Sequence, residues 1–364
     1  MTALAFRRDS KPDFVQEDFA RHRGSLPGAG LAWLDTRRRA AMDAFAATGI
    51  PTRRVEAWKY TDLANALESE LEPATPFSGD LDEENAFAAS DAHLLLVNGF
   101  LHRTRPVDGL DIVDLGALDA DAPDWVKESL GLMAAGRDSP LGAASLALMR
   151  GGVAVRVREH ATLHVDFLTP PHDRGAVSHC RVLLVLEEGA RLSLLETHRG
   201  EGVHQTLANI GMELVLKPGA RLEHVRLQAE ASKALHVTSL GARLEREAEY
   251  RALYAALGAQ LSRLDVNVQL AAPGAHATLH NVAVLNAGIA DVTTVMDHAT
   301  PHGTSRQLFK SVVGGRGRSV NQGRVVVREG AVKSDSHQLF KALLLSPRAE
   351  ADAKPELEIF ADDV

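Results

Sequence analysis

Histidine is the residue type that most readily suggests chemistry in this chain, because it occurs 16 times in 364 residues. Three segments place two histidines four residues apart: HATLH at 160–164 and at 276–280, and HATPH at 298–302. On an α-helix that spacing would let two imidazoles share a metal ion. On a β-strand four residues rise about 13 Å, too far for one ion. Since the segments are strand-like, we expect surface or turn histidines, with ligation between neighbouring turns of the chain as the alternative.

Cysteine chemistry is limited by number, because Cys180 is the only cysteine. The chain can therefore form no internal disulfide and no site with several thiolate ligands. Cys180 stands in the apolar segment SHCRVLLVL, which is typical of a buried strand. We therefore predict a buried, structural cysteine, with a reactive or metal-binding role as the alternative.

Several common catalytic motifs are missing from the sequence. The glycine-rich segment VVGGRGRS at 312–319 lacks the Gly-Lys-Ser/Thr ending that reaches phosphate and magnesium, so it predicts a turn. Neither a Gly-x-Ser-x-Gly elbow nor a His-Glu-x-x-His helix occurs. The sequence thus argues against a nucleoside triphosphatase and against two common classes of hydrolase.

Charge and hydrophobicity restrict the partners. The chain has 40 Lys and Arg against 48 Asp and Glu, a net charge of −8, which argues against nucleic acid and anionic membranes as partners. No segment approaches the roughly 20 apolar residues of a membrane span, and the first residues lack the apolar core of a signal peptide. We therefore expect a cytoplasmic protein that binds neither nucleic acid nor membrane.

The first 150 residues predict a helical and mixed α+β region. The segment 30–51 has helical apolar spacing and ends at Gly49 and Pro51. The segment HLLLVNGFLHRT contains Asn98-Gly99, a dipeptide typical of two-residue hairpin turns. A further helix is expected to begin at Pro123.

From residue 151 onward the sequence repeats. Segments beginning at 158, 187, 217, 246 and 272 resemble one another, and their turn positions are 29, 30, 29 and 26 residues apart. Each repeat holds two alternating, strand-like runs and no helix, which predicts a mainly β fold: a right-handed parallel β-helix over 151–346. Ala190, Ala220 and Ala275 should then stack in successive coils. A β-sandwich is the alternative, although it does not explain the nearly fixed interval.

The last residues, 347–364, read as the start of a further region. KPELEIFADDV alternates apolar and charged residues like a strand, with no turn signal after it. We therefore expect the sequence to be truncated, with more chain after Val364.

Many parallel β-helix proteins are polysaccharide lyases or hydrolases, so a carbohydrate-active enzyme is the alternative function. Such enzymes line a groove with carboxylates. Asp265, Asp291 and Asp297 are the candidates for such a groove in this chain.

Two stretches carry a family resemblance: RRVEAWKYTDL at 53–63, and the sequence from TPHGTSRQLFKSVVGG through SHQLFKALLLSPRA to KPELEIFADDV. They resemble the SufB and SufD family of iron–sulfur cluster assembly proteins, and the SufD side of it most. The resemblance implies a scaffold subunit, not an enzyme, that pairs with SufB and acts with the ATPase SufC. It also implies that the cluster-ligand segment would follow Val364.

The resemblance and the residues together assign no catalytic, cofactor-binding or metal-binding residue in this chain. We expect no cofactor on the chain alone, and an iron–sulfur cluster, with FAD as a second candidate, only in the complete complex. The last strands, around SDSHQLFKALLL, should offer an unpaired edge to SufB or to a second copy of the chain. Arg306, His337 and Lys341 are the predicted flanking contacts of that interface.

In the EAWKYTDL motif, Trp58, Tyr60 and Leu63 are the expected packing anchors. Thr61 and Asp62 are suitable N-cap residues for the helix that follows.

Overall fold

The computed structural model describes residues 14–79, 81, 90–105, 107–133 and 139–363. Strands account for 49% and helices for 15% of the structure, which confirms the mainly β prediction. In the described residues the α-helices are α1 (Phe14–His22), α2 (Ala32–Ala46), α3 (Leu63–Ala66), α4 (Asp124–Ser129) and α5 (Pro140–Ala147). Short 3-10 helices lie at Arg23–Ser25, Glu56–Trp58 and Leu115–Ala117.

The strands form two long sheets. Sheet A contains β1 (Glu72–Pro73), β4 (Leu110–Asp114), β5 (Gly151–Val157), β7 (Ala176–Leu186), β9 (Thr206–Leu216), β11 (Ala234–Leu244), β13 (Leu261–Leu270), β15 (Ile289–His298), β17 (Arg318–Val327) and β19 (Glu350–Ile359). Sheet B contains β2 (Ala92–Val97), β3 (Phe100–Thr104), β6 (His160–Thr169), β8 (Arg191–Gly200), β10 (Arg221–Ala229), β12 (Glu249–Ala256), β14 (His276–Leu285), β16 (Thr304–Val313) and β18 (Asp335–Leu344).

From β5 to β19 the chain alternates between the two sheets, and each strand pairs in parallel with the strand two positions later. This is a parallel β-solenoid of about seven turns, as the repeat predicted. A sandwich would have paired its strands antiparallel.

The observed register corrects the repeat alignment in detail. One column of paired residues in sheet B consists, in chain order, of His160, Arg191, Arg221, Glu249 and His276. The intervals between successive members are 31, 30, 28 and 27 residues. The alignment was anchored on turn glycines such as Gly219, whose φ is +67°. In the next coil the residue with that conformation is Glu247, with φ +57°, and not the aligned Ala248. Turn length varies between coils, and strand pairing alone fixes the register.

The predicted alanine column is present. Ala190, Ala220 and Ala275 are buried, and Ala248 occupies the coil between the last two. The carbonyl of each alanine accepts from the first strand residue of the following coil at 2.9–3.1 Å. A small side chain suits this corner, because the chain turns inward there and the coils lie about 4.8 Å apart.

The N-terminal region covers the outer face of sheet A. Helix α5 is entirely buried between that face and α2, as the contacts of α5 with α2, β7, β9 and β11 show. The predicted helices are present as α2 and α4. The predicted hairpin joins β2 to β3 through Asn98 (φ +55°) and Gly99 (φ +83°), the positive angles that an Asn-Gly turn requires.

The parallel pairing continues past residue 346, where the sequence placed the end of the β-helix. Strand β19 pairs with β17 from Arg318↔Glu350 to Val327↔Ile359. The segment KPELEI is therefore the second half of a strand that forms the edge of sheet A, and Phe360 follows it. In the described part of the chain, no helix combines the length and apolar character needed to cross a membrane.

Candidate functional site

The C-terminal end of the solenoid exposes the side chains that would be core residues in any earlier coil. Strands β18 and β19 are the edges of sheets B and A, and no described strand pairs with their outer edges. Leu344 is paired with Val313 and Leu357 with Val325, both of which point into the core. Val313 is 0% and Val325 2% exposed, whereas Leu344 is 48% and Leu357 63% exposed. The difference arises because none of the residues that the structure describes forms a further coil over them.

This open end, which we define as residues 335–345 and 350–360, is the largest grouping of exposed apolar side chains in the described residues. It includes Leu339, Leu343, Leu344, Leu345, Leu357, Ile359 and Phe360. Exposed apolar patches of this kind mark sites of association, since leaving them in water is unfavourable. Unpaired strand edges add hydrogen-bonding groups that a partner strand can satisfy.

The open end also carries features that restrict indiscriminate pairing. Pro355 lies in the middle of β19, a position that proline occupies on edge strands because it cannot donate a ladder hydrogen bond. Lys354, Glu356 and Glu358 alternate with the apolar residues. Charged residues on an edge discourage aggregation while leaving a matched partner free to bind.

The three predicted interface residues lie on the outer face of sheet B. Arg306 on β16 and His337 on β18 are register partners, and both contact Asp335: Arg306 by a direct ion pair and His337 at 3.4 Å. The hydrogen bond from Arg306 lowers the pKa of Asp335. Lys341 is exposed four residues further along β18. The structure thus brings Arg306 and His337 together and places Lys341 beside the apolar residues of the open end.

The EAWKYTDL motif connects the N-terminal region to sheet A, and one of its contacts reaches the open end. Trp58 is fully buried, and the Arg263 guanidinium lies 4.0 Å from the centre of its ring. Arg263 also donates to the Ala57 carbonyl at 2.8 Å. Asp62 caps α3 as predicted, accepting from the Asn65 amide at 2.8 Å. Glu56 forms an ion pair of 2.6 Å with Lys354, which links the motif directly to β19.

The aspartates proposed for a carbohydrate-binding groove have other roles. Asp265 and Asp291 are buried and contact Arg263 at 2.7 and 2.5 Å, and Thr61 donates to Asp291. Asp297 pairs with Arg328 at 2.5 Å. Each of these carboxylates is paired with an arginine, so the geometry does not favour a glycosidase.

The interior of the middle coils holds a buried polar network. Glu196 on β8 contacts His198, and it accepts from His224 at 2.7 Å and from Arg226 at 3.2 Å. His224 in turn contacts the Tyr250 hydroxyl at 3.0 Å. Burial alone would raise the pKa of Glu196, but the facing imidazoles and guanidinium hold it well below its ordinary value. Glu196 is therefore a buried carboxylate that stays ionised because its partners compensate it.

A second carboxylate extends this network to sheet A. Arg226 donates to His236 Nε2 at 2.6 Å, so His236 presents its Nδ1 proton to Glu230 at 2.7 Å. Burial would raise the pKa of Glu230, yet the facing His236 lowers it to about 2. The network is internally paired, which suits a structural role better than acid–base catalysis.

The histidines do not all lie where the sequence placed them. His160, His280 and His302 are exposed as expected, but His164 and His298 are buried. The expectation of surface histidines was wrong for these two, because neighbouring coils cover their side chains. Cys180 is buried as predicted, and burial raises the pKa of its thiol to about 12.

The sequence analysis missed the network residues, because their partners lie in other coils. Glu196, His224 and Tyr250 are each separated by about 26 to 28 residues. The available signal was that Glu196 and His224 occupy inward positions where the preceding coil places Val165 and Leu194. A polar residue at a core position of a repeat indicates a partner one coil away.

Comparison with known proteins shows the family of this chain. Residues 13–165 match the SufBD protein N-terminal region, and residues 169–364 match the SufBD core domain of SUF system FeS cluster assembly. The chain is 28% identical over 351 residues to the chloroplastic protein ABCI7 of Arabidopsis thaliana, covering 90% of this chain and 72% of that one. It is 26% identical over 355 residues to an iron–sulfur cluster assembly SufBD family protein of Synechocystis sp., covering 91% and 78%.

The iron–sulfur cluster assembly protein SufD of Escherichia coli is 27% identical over 334 residues, with 87% of this chain and 75% of that protein covered. The two family regions together span almost the whole sequence and meet near the start of the solenoid. The chain belongs to the SufBD family of iron–sulfur cluster assembly proteins and is SufD-like.

Proposed function

We propose that this chain is a non-catalytic scaffold subunit of an iron–sulfur cluster assembly complex, which pairs through its open end with a SufB-type subunit and acts with a SufC-type ATPase. The observation that carries the proposal is the exposure of inward-facing residues such as Leu344 and Leu357 at that end. The iron–sulfur cluster is the cargo of the complex.

The chemistry of the open end favours a partner that brings strands. Two parallel sheet edges and an apolar interior surface lie side by side at β18 and β19. A partner that adds a coil, or lays its own strands along the edges, would cover both at once. A second copy of the chain offers the same chemistry, so self-association at high concentration is part of the proposal.

The chain by itself would not hold a stable cluster. Iron–sulfur clusters are ligated mostly by cysteine thiolates, usually four. Cys180 is buried, and its raised pKa keeps it in the thiol form. Any cluster, and any FAD, would therefore depend on the assembled complex. The cytoplasmic location expected from the sequence stays a prediction.

The test is copurification of the tagged chain with SufB and SufC subunits encoded by the same genome. Two variants, Leu344→Glu and Leu357→Glu, place a charge on the open end. The matched control is Leu253→Glu, at a partly exposed leucine on the outer face of sheet B in the middle of the solenoid. We expect each open-end variant to weaken SufB binding at least about tenfold, since covering a charge without a partner is costly.

The control should bind SufB like the unaltered chain. All three variants should remain folded, because each site is at least two-fifths exposed. Undiminished binding by both open-end variants, with loss in the control, would place the interface on the face of sheet B instead. If the unaltered chain binds no SufB at all, the proposed scaffold role is wrong.

A further inference from the structure

A cluster of two histidines and one aspartate lies at the opposite end of the solenoid from the open end. His93 on β2 and His164 on β6 are direct register partners in a parallel pair. Asp166 follows His164 by two residues, so all three side chains leave the same face of sheet B. Unlike most residues on that face, His164 and Asp166 are only 1% exposed.

The geometry of these three residues suits a shared ligand. The imidazoles of His93 and His164 are stacked, with ring centres 4.8 Å apart and planes 19° from parallel. One ligand atom from each residue lies within 4.8 Å of the others. His93 Nε2 lies 3.9 Å from Asp166 Oδ2 and has no hydrogen-bond partner among the described residues. Metal–ligand bonds near 2.1 Å put ligand atoms about 3.4 Å apart, so small side-chain rotations would close the site.

The cluster opens onto a cavity. His93 and Asp166 line a space of about 720 Å³, together with Thr197, Arg199 and Pro170. An ion could therefore enter from solvent, and a water molecule or a further ligand could complete its coordination. Three protein ligands with an open position is the arrangement of reactive metal sites rather than of closed structural ones.

Two neighbours hold the cluster in place. The Thr197 hydroxyl contacts His164 Nε2 at 2.8 Å and donates to Asp166 Oδ1 at 2.7 Å, so it orients both residues. Such outer partners are a regular feature of metal sites. Arg199 Nη2 lies 2.9 Å from Asp166 Oδ2 and neutralises the carboxylate. Because Arg199 lies at the cavity wall and is partly exposed, its guanidinium can swing away from Asp166 when a cation replaces it.

We propose that His93, His164 and Asp166 bind a first-row divalent transition metal ion such as Fe²⁺ or Zn²⁺, in competition with Arg199. Two imidazoles and one carboxylate favour these ions over Mg²⁺ and Ca²⁺, which prefer all-oxygen sites. The sequence assigned no metal ligand to this chain; it left open ligation by histidines of neighbouring coils and a metal-binding role for Cys180. The site goes beyond the proposed scaffold function and does not depend on the partner interface.

The experiment is an anaerobic titration of the full, tag-free chain with Co²⁺, read by its visible absorption, followed by displacement with Zn²⁺ and with Fe²⁺. One equivalent of Co²⁺ should bind, and Mg²⁺ and Ca²⁺ should not displace it. His93→Ala and Asp166→Asn should each lower the affinity at least about tenfold. The relative displacing strength of Zn²⁺ and Fe²⁺ distinguishes the two candidate ions.

Two further variants keep the test decisive. His280→Ala removes an exposed histidine that lies in the same column of paired residues in sheet B as His164, four strands away. This variant should leave metal binding unchanged. Arg199→Gln removes the competing charge and should raise the affinity several-fold, a gain that misfolding cannot imitate. The proposal is overturned if the unaltered chain binds none of the three metals, if His280→Ala loses as much binding as His93→Ala, or if Arg199→Gln does not bind more tightly.

Discussion

The two ends of the solenoid use the same inward-facing apolar positions and differ in what covers them. At the first end β2 carries Leu94 and Leu96 inward, β3 pairs with β2, and β4 pairs antiparallel with β5. Both leucines are fully buried. At the last end the inward leucines of β18 and β19 remain about half exposed or more. Burial in a solenoid is thus decided by the next layer of chain, and the described residues supply no such layer over β18 and β19.

The exposed apolar side chains of the open end represent a substantial free energy of burial. Burying a leucine side chain contributes about 1.5–3 kcal/mol relative to leaving it in water. By that estimate, complete burial of Leu344, Leu357 and Ile359 would contribute several kcal/mol. A partner that covers them would gain part of this free energy. Part of that gain is lost to the entropy of association, so the open end suits a partner with strands to add.

Leucine-to-alanine substitutions at the two ends should differ most in their effect on the free energy of unfolding. Leu94→Ala at the covered end should lower it by about 2–5 kcal/mol, because a fully buried leucine leaves a cavity. Leu357→Ala at the open end should lower it by less than about 1 kcal/mol, since the side chain is already largely in water. Urea unfolding followed by circular dichroism gives both values. Equal losses at the two positions would remove the distinction between the ends.

Thiol reactivity gives a second, independent comparison. Cys180 lies close beneath the hairpin turn at the covered end, where a Cβ on Gly99 would come within 2.9 Å of it. Its pKa of about 12, against about 9 for an ordinary thiol, reduces the thiolate fraction roughly a thousandfold. The folded chain should therefore not react with a thiol reagent, whereas Leu357→Cys should add one readily labelled group. Rapid labelling of the unaltered chain would show that the covered end is open to solvent.

The smallest effect concerns the buried interior between the two ends. Burial lowers the pKa of His179 and of His198 to about 4, from 6.5 in the unfolded chain. Between pH 6.5 and 4 the unfolded chain takes up protons that the folded chain does not, so stability should fall with falling pH. Each histidine contributes at most about 1.4 kcal/mol per pH unit.

The measurement for this prediction is the urea midpoint at pH 7.5, 6.0 and 5.0. His179→Gln should flatten the dependence, and the exposed His280→Gln should leave it unchanged. A midpoint that stays constant or rises on acidification would contradict the buried, neutral state of these histidines.

Local signals made much of the fold predictable. Gly189 and Gly219 mark turns that need positive φ, Asn98-Gly99 marks a hairpin, and Gly49 ends α2. These features depend on residues adjacent in the sequence. The alignment built on the turns was nevertheless off by one or two residues in several coils, because strands and not turns set the register.

The candidate sites were less predictable, because each combines residues from separate coils. His93 and His164 are 71 residues apart, and Glu196 and His224 are 28 apart. Single-strand spacing cannot show such pairs. The sequence shows an apolar run at Leu343–Leu345, but only the structure shows that these side chains are exposed at the end of β18 and just after it.

Hydrogen–deuterium exchange of the chain with and without its SufB-type partner would show whether the open end is the interface. Backbone amides in 335–345 and 350–360 should become protected when the partner is added, while those of β2 and β6 should not change. Protection confined to the outer face of the middle strands of sheet B, with continued fast exchange in β18 and β19, would contradict it.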